Sequence, residues 1–536
     1  MSLAMRPIPT WNPRRDCISE PTPNERHVSE TRDPSRPRVE IEHLKRKMKP
    51  TVIKAIALVS CITAAVHADE NITVQTRDNG AALVNPGMGW VVYFYSNVPA
   101  NYGSRLSPAD TVDDFPGLST VFLRIPWAYL EPKEGKFNWA LLDTPAQRWI
   151  SKGKRIALCL TSSENWMPYA TPEWVKNAGA KGTFYEFGKG RVDKGNLWDP
   201  FFDDPVYLAK LDAFLAAAAK RYDGNPKVEF VTVGTYGLWG EGHTHMSSQQ
   251  DSFDIQKIHI DLHLKHFRKT QLCISDDYVG HNKPGRSFPI TDYALSRGVT
   301  LRDDSILVQP PPNSWYHAEL AQAFWPKFPV ILEHEHFGGS KARGAWDGAL
   351  LLKAVEDYHA SFMSIHWSPR EFLQENRETI DRINQRIGYR LQPLEVSWSK
   401  DVEIGAGPTH QDSRNGLEIK WTWANKGVAP CYPGGFPCLT IKDAEGGIVS
   451  VLTDESLDMR DLKVGPPGEP PVVAHVSQFA IGQFAPATKP GSYDLFVSVG
   501  TRDGTPMIAL PLTGDDGQRR YRLGTVTLRE PVTHQK

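Results

Sequence analysis

Between residues 85 and 390 the chain alternates short apolar runs with longer stretches in which apolar residues recur at helical spacing. Most of the short runs are apolar throughout, as expected of strands that are covered on both faces. The predicted strands are 89–95, 120–127, 155–160, 228–235, 272–275, 300–302, 329–333 and 362–367. Helical patterns separate them, including 141–152, 205–222 and 255–267. Eight such units predict an α/β fold, a closed (β/α)8 TIM barrel over residues 80–390.

An open, doubly wound sheet is the alternative architecture. It favours a Gly-x-Gly-x-x-Gly turn after its first strand, and the sequence has none there. Beyond residue 390 the spacing changes, and segments such as 417–423 and 493–499 alternate apolar with polar residues. Gly, Pro, Asn and Asp separate these segments. The pattern predicts a β-sandwich domain over residues 391–532.

The first 68 residues follow neither pattern. Residues 1–47 are rich in Pro, Arg, Glu and Ser, which indicates a disordered segment or a mis-assigned leader before a start at Met48. Residues 48–68 combine a basic start, an apolar run and a small-residue end, the layout of a secretory signal peptide. We therefore expect a secreted or periplasmic protein. Residues 58–61 also resemble a lipobox, which would place a lipid anchor on Cys61, and an apolar tail on a cytosolic protein is a further alternative.

The composition of the chain argues against several classes of function. The chain has 61 basic and 62 acidic residues, so no strong field attracts it to nucleic acid or to anionic membranes. Six cysteines in 536 residues exclude a disulfide-built scaffold. Cys159 and Cys273 lie in predicted strands and are expected to be buried thiols. Cys431 and Cys438 flank a Pro-Gly-Gly turn and would be able to close a small disulfide loop in an oxidising compartment.

Two carboxylates are the strongest candidates for chemistry. In a barrel of this kind, functional side chains follow the C-terminal ends of the strands. Glu241 follows the fourth predicted strand between two glycines, and Glu333 and Glu335 lie at the end of the seventh. Paired carboxylates suit glycoside hydrolysis, in which one protonates the leaving oxygen and the other attacks or activates water. Glu333 is favoured over Glu335 because it directly ends the apolar run, and structural ion pairs are the alternative role for these residues.

Short motifs resemble the retaining β-glycosidases of clan A, which include the family 42 β-galactosidases. One is VFLRIPW at 121–127, followed by Glu131-Pro132. The segments NPGMG at 85–89, LWGEGH at 238–243 and GYR at 388–390 also resemble a bacterial secreted group in which a glycosidase-like barrel precedes a β-sandwich. The resemblance implies a glycoside hydrolase of β-galactosidase type. It implies Glu241 as acid/base, Glu333 as nucleophile and Arg124 as support for the nucleophile.

This chain differs from the clan at one position. The clan usually carries Asn before the acid/base, and this chain has Gly240. The expected substrate is a β-linked oligo- or polysaccharide, and no cofactor is expected. The expected stacking surfaces are Trp90, Trp127, Trp166, Trp239 and Trp367. The expected polar contacts are Arg124, Glu164, Asn165, Tyr236, His243, Asp276, Asp303 and His334.

Two other functions stay open. One is a glycan-binding barrel without catalysis. The other is a metal-dependent hydrolase, because histidine pairs beside carboxylates suit zinc. Its expected ligands are His243, His245, His334 and His336, and His366, Asp276 and Asp277 are further candidates. The β-sandwich would brace the barrel, bind sugar or mediate dimers, and we favour bracing. Sugar identity, linkage, stereochemical outcome and oligomeric state stay open.

Overall fold

The computed structural model describes residues 71–94, 106, 110–250, 252–279, 289–308, 316–404, 416–479 and 488–530. The expected leader at 1–47, the signal peptide at 48–68 and Cys61 lie outside the described residues. Among the described residues, no helix combines the length and the apolar character that crossing a bilayer requires.

The strands, numbered along the chain, are β1 (Asn71–Gln75), β2 (Gly89–Tyr93), β3 (Leu118–Pro126), β4 (Arg155–Thr161), β5 (Gly182–Glu186), β6 (Gly190–Arg191), β7 (Leu197–Pro200), β8 (Val228–Thr232), β9 (Gln271–Ser275), β10 (Thr300–Ile306), β11 (Val330–His334), β12 (Ala360–Ile365), β13 (Leu391–Ser399), β14 (Asp401–Glu403), β15 (Leu417–Asn425), β16 (Phe436–Lys442), β17 (Ile448–Thr453), β18 (Val472–Phe479), β19 (Gly491–Gly500), β20 (Pro506–Ile508) and β21 (Tyr521–Arg529).

The helices are α1 (Trp127–Leu130), α2 (Ala140–Ile150), α3 (Glu173–Asn177), α4 (Pro205–Tyr222), α5 (Phe253–His266), α6 (Pro289–Ser296), α7 (Ala318–Phe324), α8 (Phe337–Ala342), α9 (Gly348–Asp357), α10 (Pro369–Glu375) and α11 (Arg377–Asn384). The start of α4 shows how the sequence fixes these ends. Asp204 accepts hydrogen bonds from the backbone N–H groups of Val206 and Tyr207, and Pro205 occupies the first turn.

Eight parallel strands close into a barrel in the order β2, β3, β4, β8, β9, β10, β11 and β12, and β12 pairs with β2. The predicted (β/α)8 fold is confirmed, and each of the eight predicted strands overlaps one barrel strand. Inward-facing side chains form a separate apolar cluster inside the barrel: Val91, Tyr93, Phe122, Ala157, Cys159, Phe230, Cys273, Ile331 and Phe362. Cys159 and Cys273 are buried thiols, as predicted.

The long stretch between β4 and α4 contains a small antiparallel sheet of β6, β5 and β7. Phe187 of this insertion packs against Trp239 of the turn after β8, with ring centroids 5.7 Å apart. Ser163, just after β4, bonds to Asp199 in β7 at 2.7 Å. Burial raises the pKa of Asp199 to about 6, and the hydroxyl of Ser163 opposes that rise.

The C-terminal region is built from two sheets, as predicted. One has the order β1, β13, β15 and β18, and the other runs β14, β21, β19, β16 and β17 with β20 beside β19. Their inner faces share one apolar core. The N-terminal strand β1 pairs antiparallel with β13, so this sheet includes residues that precede the barrel.

The possible disulfide between Cys431 and Cys438 is not formed, and both cysteines are free buried thiols. Their sulfur atoms face different partners: Cys431 Sγ is 3.7 Å from the Gly434 carbonyl oxygen, and Cys438 Sγ is 3.5 Å from Thr453 Oγ1.

Candidate active site

Alternation along the barrel strands explains which side chains reach the site. Inward-facing residues recur every two positions along a strand. Two positions beyond inward-facing Phe122 lies Arg124, and two beyond Ile331 lies Glu333. The same step along β10 puts Arg302 and Asp304 on one face, where they form an ion pair of 3.0 Å. The apolar barrel interior is therefore continued by charged groups at its C-terminal end.

Glu241 is held on a tight turn after β8. The backbone N–H of Leu238 donates to the carbonyl of His243, which closes the turn. Gly240 has a φ of 76°, and a Cβ there would lie 2.8 Å from the backbone of Gly234, so only glycine fits. The glycine that replaces the expected Asn is thus required by the close approach of two backbone segments.

The surroundings of Glu241 favour its protonated form. Burial raises its pKa, the nearby Asp304 raises it further, and Glu333 acts in the same direction. Two basic side chains lie near Glu241: His243 Nε2 is 3.8 Å from its Oε2, and Arg124 Nη1 is 4.0 Å from its Oε1. A glutamate that keeps its proton at higher pH is suited to donate it.

Glu333 has a different environment. Arg302 Nη1 donates to its Oε2, and His366 Nδ1 lies 3.1 Å from its Oε1. Arg302 Nη1 is also 3.4 Å from the Tyr93 hydroxyl. The expectation that Arg124 supports Glu333 is therefore wrong, because Arg302 from β10 makes that contact.

Arg124 instead contacts two other glutamates, Glu164 and Glu241. Its Nη2 donates to Glu164 Oε2 at 3.1 Å, and Glu164 also accepts from Thr161 at 2.7 Å and from the Trp166 indole at 3.0 Å. Burial raises the pKa of Glu164, and Arg124 opposes that rise. Glu164 thus lies at the mouth as predicted, as part of a hydrogen-bonded group.

Glu335 has a different set of partners from Glu333, and its Oε1 is 3.8 Å from His336 Nδ1. Its carboxylate pairs with Arg343 of the segment after α8, at 3.0 Å, and its backbone N–H bonds to the carbonyl of Ile306. Of the two glutamates proposed for the seventh strand, Glu333 is the one that shares a cluster with Glu241.

Three aromatic residues are placed to meet a ligand. Trp166, Trp239 and Trp367 are each partly exposed at the C-terminal end of the barrel. Trp239 and Trp367 have φ values of 58° and 71°, which are strained for bulky residues and recur at functional sites. Asn165 accepts a hydrogen bond from the Trp239 indole at 3.2 Å, which directs its amide nitrogen elsewhere.

Three predicted contacts are wrong because the side chains are fully buried in packing. Trp90 lies next to inward-facing Val91 on β2, so its ring points outward, and its indole donates to Asn384 at 2.9 Å. Trp127 begins α1 and packs on Phe214. The ring of Tyr236 is also buried, and its hydroxyl donates to the Gln250 carbonyl.

Three further predicted contacts are also buried: Asp303 and His334 on the outer side of their strands, and Asp276 in the turn after β9. Asp303 alternates with Arg302, so its carboxylate points behind the barrel wall and accepts from Tyr358 at 2.6 Å. Asp276 is fully buried beside it, and its Oδ1 accepts from the Asp304 backbone N–H. His334 alternates with Glu333, and its ring packs against Trp346.

Asp276 and Asp303 are the predicted sugar contacts, whereas their neighbours Asp277 and Asp304 enter the site; no sugar contact is predicted for Arg302 or His366. Counting in steps of two from each inward-facing apolar residue identifies the residues that enter the site. This alternation is present in the sequence. Asp277 lies close to His243, with 3.6 Å between Oδ2 and Nε2. Burial raises the pKa of Asp277 to about 7, and His243 opposes that rise.

The four histidines expected to bind a metal are not assembled. His334 is buried on the outer side of β11, and His245 is exposed, with its ring tilted by 36° against that of His243. His336 bonds to His366 through the two Nε2 atoms at 3.1 Å. Among the described residues, two other groups have ligand atoms within 4.8 Å of one another: Glu241, His243 and Asp277, and also Asp276, Asp277 and Asp304.

Comparisons with known proteins agree with the motifs. A β-galactosidase family model, glycoside hydrolase family 42, matches residues 116–255, which include Glu241 but not Glu333. A β-galactosidase from Xanthomonas manihotis is 25% identical over 219 residues, which are 39% of this chain and 33% of the relative. The match thus spans about a third of the length of that curated relative. The resemblance to family 42 that the motifs indicated is confirmed.

Solved structures with some similarity include endo-glycoceramidase II from Rhodococcus sp., at 11% identity and a TM-score of 0.38 over 76% of this chain and 99% of that one. A β-galactosidase from Halorubrum lacusprofundi gives 12% identity and a TM-score of 0.37 over 59% of this chain and 60% of that one. The barrel topology itself rests on the strand pairing of this chain.

Proposed function

We propose that this chain is a secreted glycoside hydrolase that cleaves a β-linked glycan of β-galactoside type, with retention of configuration. Glu241 is the acid/base and Glu333 is the nucleophile. The observation that carries the proposal is the cluster at the C-terminal end of the barrel, where Arg302 holds Glu333 and where Glu333 is close enough to influence the charge of Glu241. The match to the β-galactosidase family model over 116–255 supports the same function.

The two carboxylates have environments that suit different tasks. Burial and the neighbouring Asp304 raise the pKa of Glu241, so it holds the proton that a departing glycosidic oxygen needs. Arg302 and His366 both contact Glu333 and fix its orientation, as a nucleophile that attacks the anomeric carbon requires. After the glycosyl–enzyme forms, Glu241 as carboxylate takes a proton from the incoming water.

The substrate enters between partly exposed aromatic surfaces. Trp166 and Trp239 lie on the side of Glu164 and Glu241, and Trp367 lies on the side of Glu333. Flat aromatic rings suit the apolar faces of sugars. Export of the chain rests on the signal-peptide layout of residues 48–68.

The experiment compares single-residue variants on nitrophenyl β-D-galactoside and on a natural β-galactoside. Glu241→Gln should lower kcat/KM on the natural substrate by about 10²–10⁴-fold, the usual contribution of a general acid. It should affect the activated nitrophenyl substrate less, because that leaving group needs little protonation. Glu333→Gln should abolish turnover of both substrates.

Glu335→Gln is the matched control, since this glutamate pairs with Arg343 outside the cluster and should retain activity. Undiminished turnover by Glu241→Gln on both substrates would contradict the assignment. Binding of oligosaccharide without release of sugar by the unmodified chain would favour the glycan-binding alternative. Proton NMR of the first product tests retention: the β-anomer is expected, and the α-anomer would show inversion.

A further inference from the structure

Glu241, His243 and Asp277 meet at one side of the C-terminal end of the barrel and form a group that could bind a cation. Each of these residues offers one ligand atom, and the three atoms lie within 4.8 Å of one another. The residues come from the turn after β8 and from the end of β9, so two adjacent barrel strands contribute to the group. The ligand set is one imidazole nitrogen and two carboxylate oxygens.

The imidazole of His243 lies between the two carboxylates and pairs with both of them at ion-pair distances. Its Nε2 is 3.8 Å from Glu241 Oε2 and 3.6 Å from Asp277 Oδ2, which exceeds the 2.7–3.2 Å span of N–H···O hydrogen bonds. Only 8% of this side chain is exposed. Its Nδ1 has no hydrogen-bond partner among the described residues. A buried imidazole in this state is uncommon, because buried polar groups are normally satisfied.

The same separations suit a shared cation. Zinc binds nitrogen and oxygen ligands at about 2.0–2.2 Å, which places tetrahedral ligands about 3.3–3.6 Å apart. The observed 3.6 and 3.8 Å differ from this by a few tenths of an ångström. Asp304 adds a further carboxylate next to Asp277, so this side of the mouth concentrates negative charge.

We propose that Glu241, His243 and Asp277 bind one divalent transition-metal cation of the zinc class, and that the bound cation inhibits the enzyme. The cation occupies the carboxylate lone pairs of Glu241 that must carry the proton during leaving-group departure. Three protein ligands leave a fourth position open to water. The inhibitory half of this inference rests on the proposed function, whereas the binding half does not.

Binding is tested on the full chain after treatment with a chelator. Isothermal titration with Zn²⁺ should show one saturable site, and Co²⁺ should give the visible absorption of a low-symmetry site. Asp277→Asn and His243→Ala should each weaken Zn²⁺ binding by more than about tenfold, the lower end of the loss seen when even outer-shell partners are removed. Glu335→Gln is the matched carboxylate control and should bind as the unmodified chain does.

Circular dichroism verifies that each variant is folded, and Asp277→Asn, which preserves side-chain shape, serves if His243→Ala is not folded. No saturable binding to the unmodified chain, or equal affinity in Asp277→Asn, would overturn the site. Zn²⁺ should also suppress sugar release, and chelator should restore it. Saturable, Asp277-dependent binding to a chain that releases no sugar would uphold the site and contradict the proposed function instead, and full activity with the site occupied would overturn the inhibition.

Discussion

At the scale of the residue, Arg302 holds two carboxylates of the site. It pairs with Glu333 and with Asp304, and all three side chains are at least nine-tenths buried. Arg302→Met should lower the free energy of unfolding by about 3–5 kcal/mol, because two buried carboxylates lose their cation. Urea unfolding measures this. The control is Arg343→Met, whose partly exposed pair with Glu335 should contribute less than about 1 kcal/mol; equal losses in the two variants would contradict the argument.

His336 is expected to position Glu333 through His366. Its Nε2 bonds to His366 Nε2 at 3.1 Å, and His366 Nδ1 faces the Glu333 carboxylate. Burial lowers the pKa of both histidines well below the usual value, so both rings are neutral, and donation by His336 leaves the His366 proton on Nδ1. His336→Phe should lower kcat about fivefold, the equivalent of one hydrogen bond of about 1 kcal/mol, with little change in KM.

The test of this role needs a readout beyond activity. Nitrogen NMR of the His366 ring should show the Nδ1–H tautomer in the unmodified chain and a mixture of tautomers in His336→Phe. A single unchanged tautomer in the variant would mean that His336 acts only through packing, for example through its stacking on Trp367 at 4.6 Å.

Residue-level prediction from the sequence succeeded where a side chain continues the inward face of a strand. Glu333 follows Ile331 by two positions and was selected correctly as a member of the cluster. Asp303 and His334 failed because they are adjacent to inward-facing residues and therefore point behind the barrel wall. Trp90 failed for the same reason. Proximity to a strand end is thus a weaker signal than alternation along the strand.

At the scale of the element, α5 carries two buried histidines whose titration should affect stability. Burial lowers the pKa of His259 to about 3 and that of His263 to about 4. His259 is bonded through both nitrogens, to Thr235 and to the Phe202 carbonyl, which fixes the neutral form. The unfolded chain takes up these protons near pH 6.5, and the folded chain does so only at lower pH.

The free energy of unfolding should therefore be insensitive to these histidines above about pH 6.5 and should fall as the pH drops toward 4. The slope for each histidine approaches about 1.4 kcal/mol per pH unit. His259→Gln removes one titrating group and should flatten this part of the profile, measured by urea unfolding between pH 4 and 7. An unchanged slope in the variant would show that other groups cause the acid sensitivity.

Prediction of whole elements was strongest for the barrel, because each of its strands is a compact apolar run with a helical pattern beside it. Prediction was weakest for strands whose pairing partners lie far away in the sequence. Strand β1 is only five residues long with alternating exposure, and its partner β13 lies about 320 residues further along the chain. The inserted sheet is not among the predicted strands, since β5 to β7 are short and two of them begin with glycine.

At the scale of the whole molecule, the described barrel and C-terminal sheets belong to one compact unit. Leu83 and Met88, which precede β2, lie in the core of the sheets. Trp325 after α7 stacks on His359, and its carbonyl accepts a hydrogen bond from Tyr432 of the C-terminal region at 2.7 Å. These contacts support the bracing role that the sequence favoured.

Because these contacts link the barrel to the C-terminal sheets, we expect a single cooperative unfolding transition. Asn85, in the segment leading to β2, exchanges two hydrogen bonds with the backbone of Ala509 in the C-terminal region, at 2.7 and 3.1 Å. Asn85→Ala leaves a part-buried N–H and C=O of Ala509 without their partner, which should cost about 1 kcal/mol. Calorimetry should show the single transition shifted as a whole, and the exposed Asn177→Ala on α3 should not shift it. Two transitions, with only the C-terminal one shifted, would show that the sheets fold independently and do not brace the barrel. If the sheets brace the barrel, a loss of stability in the sheets must also destabilise the barrel.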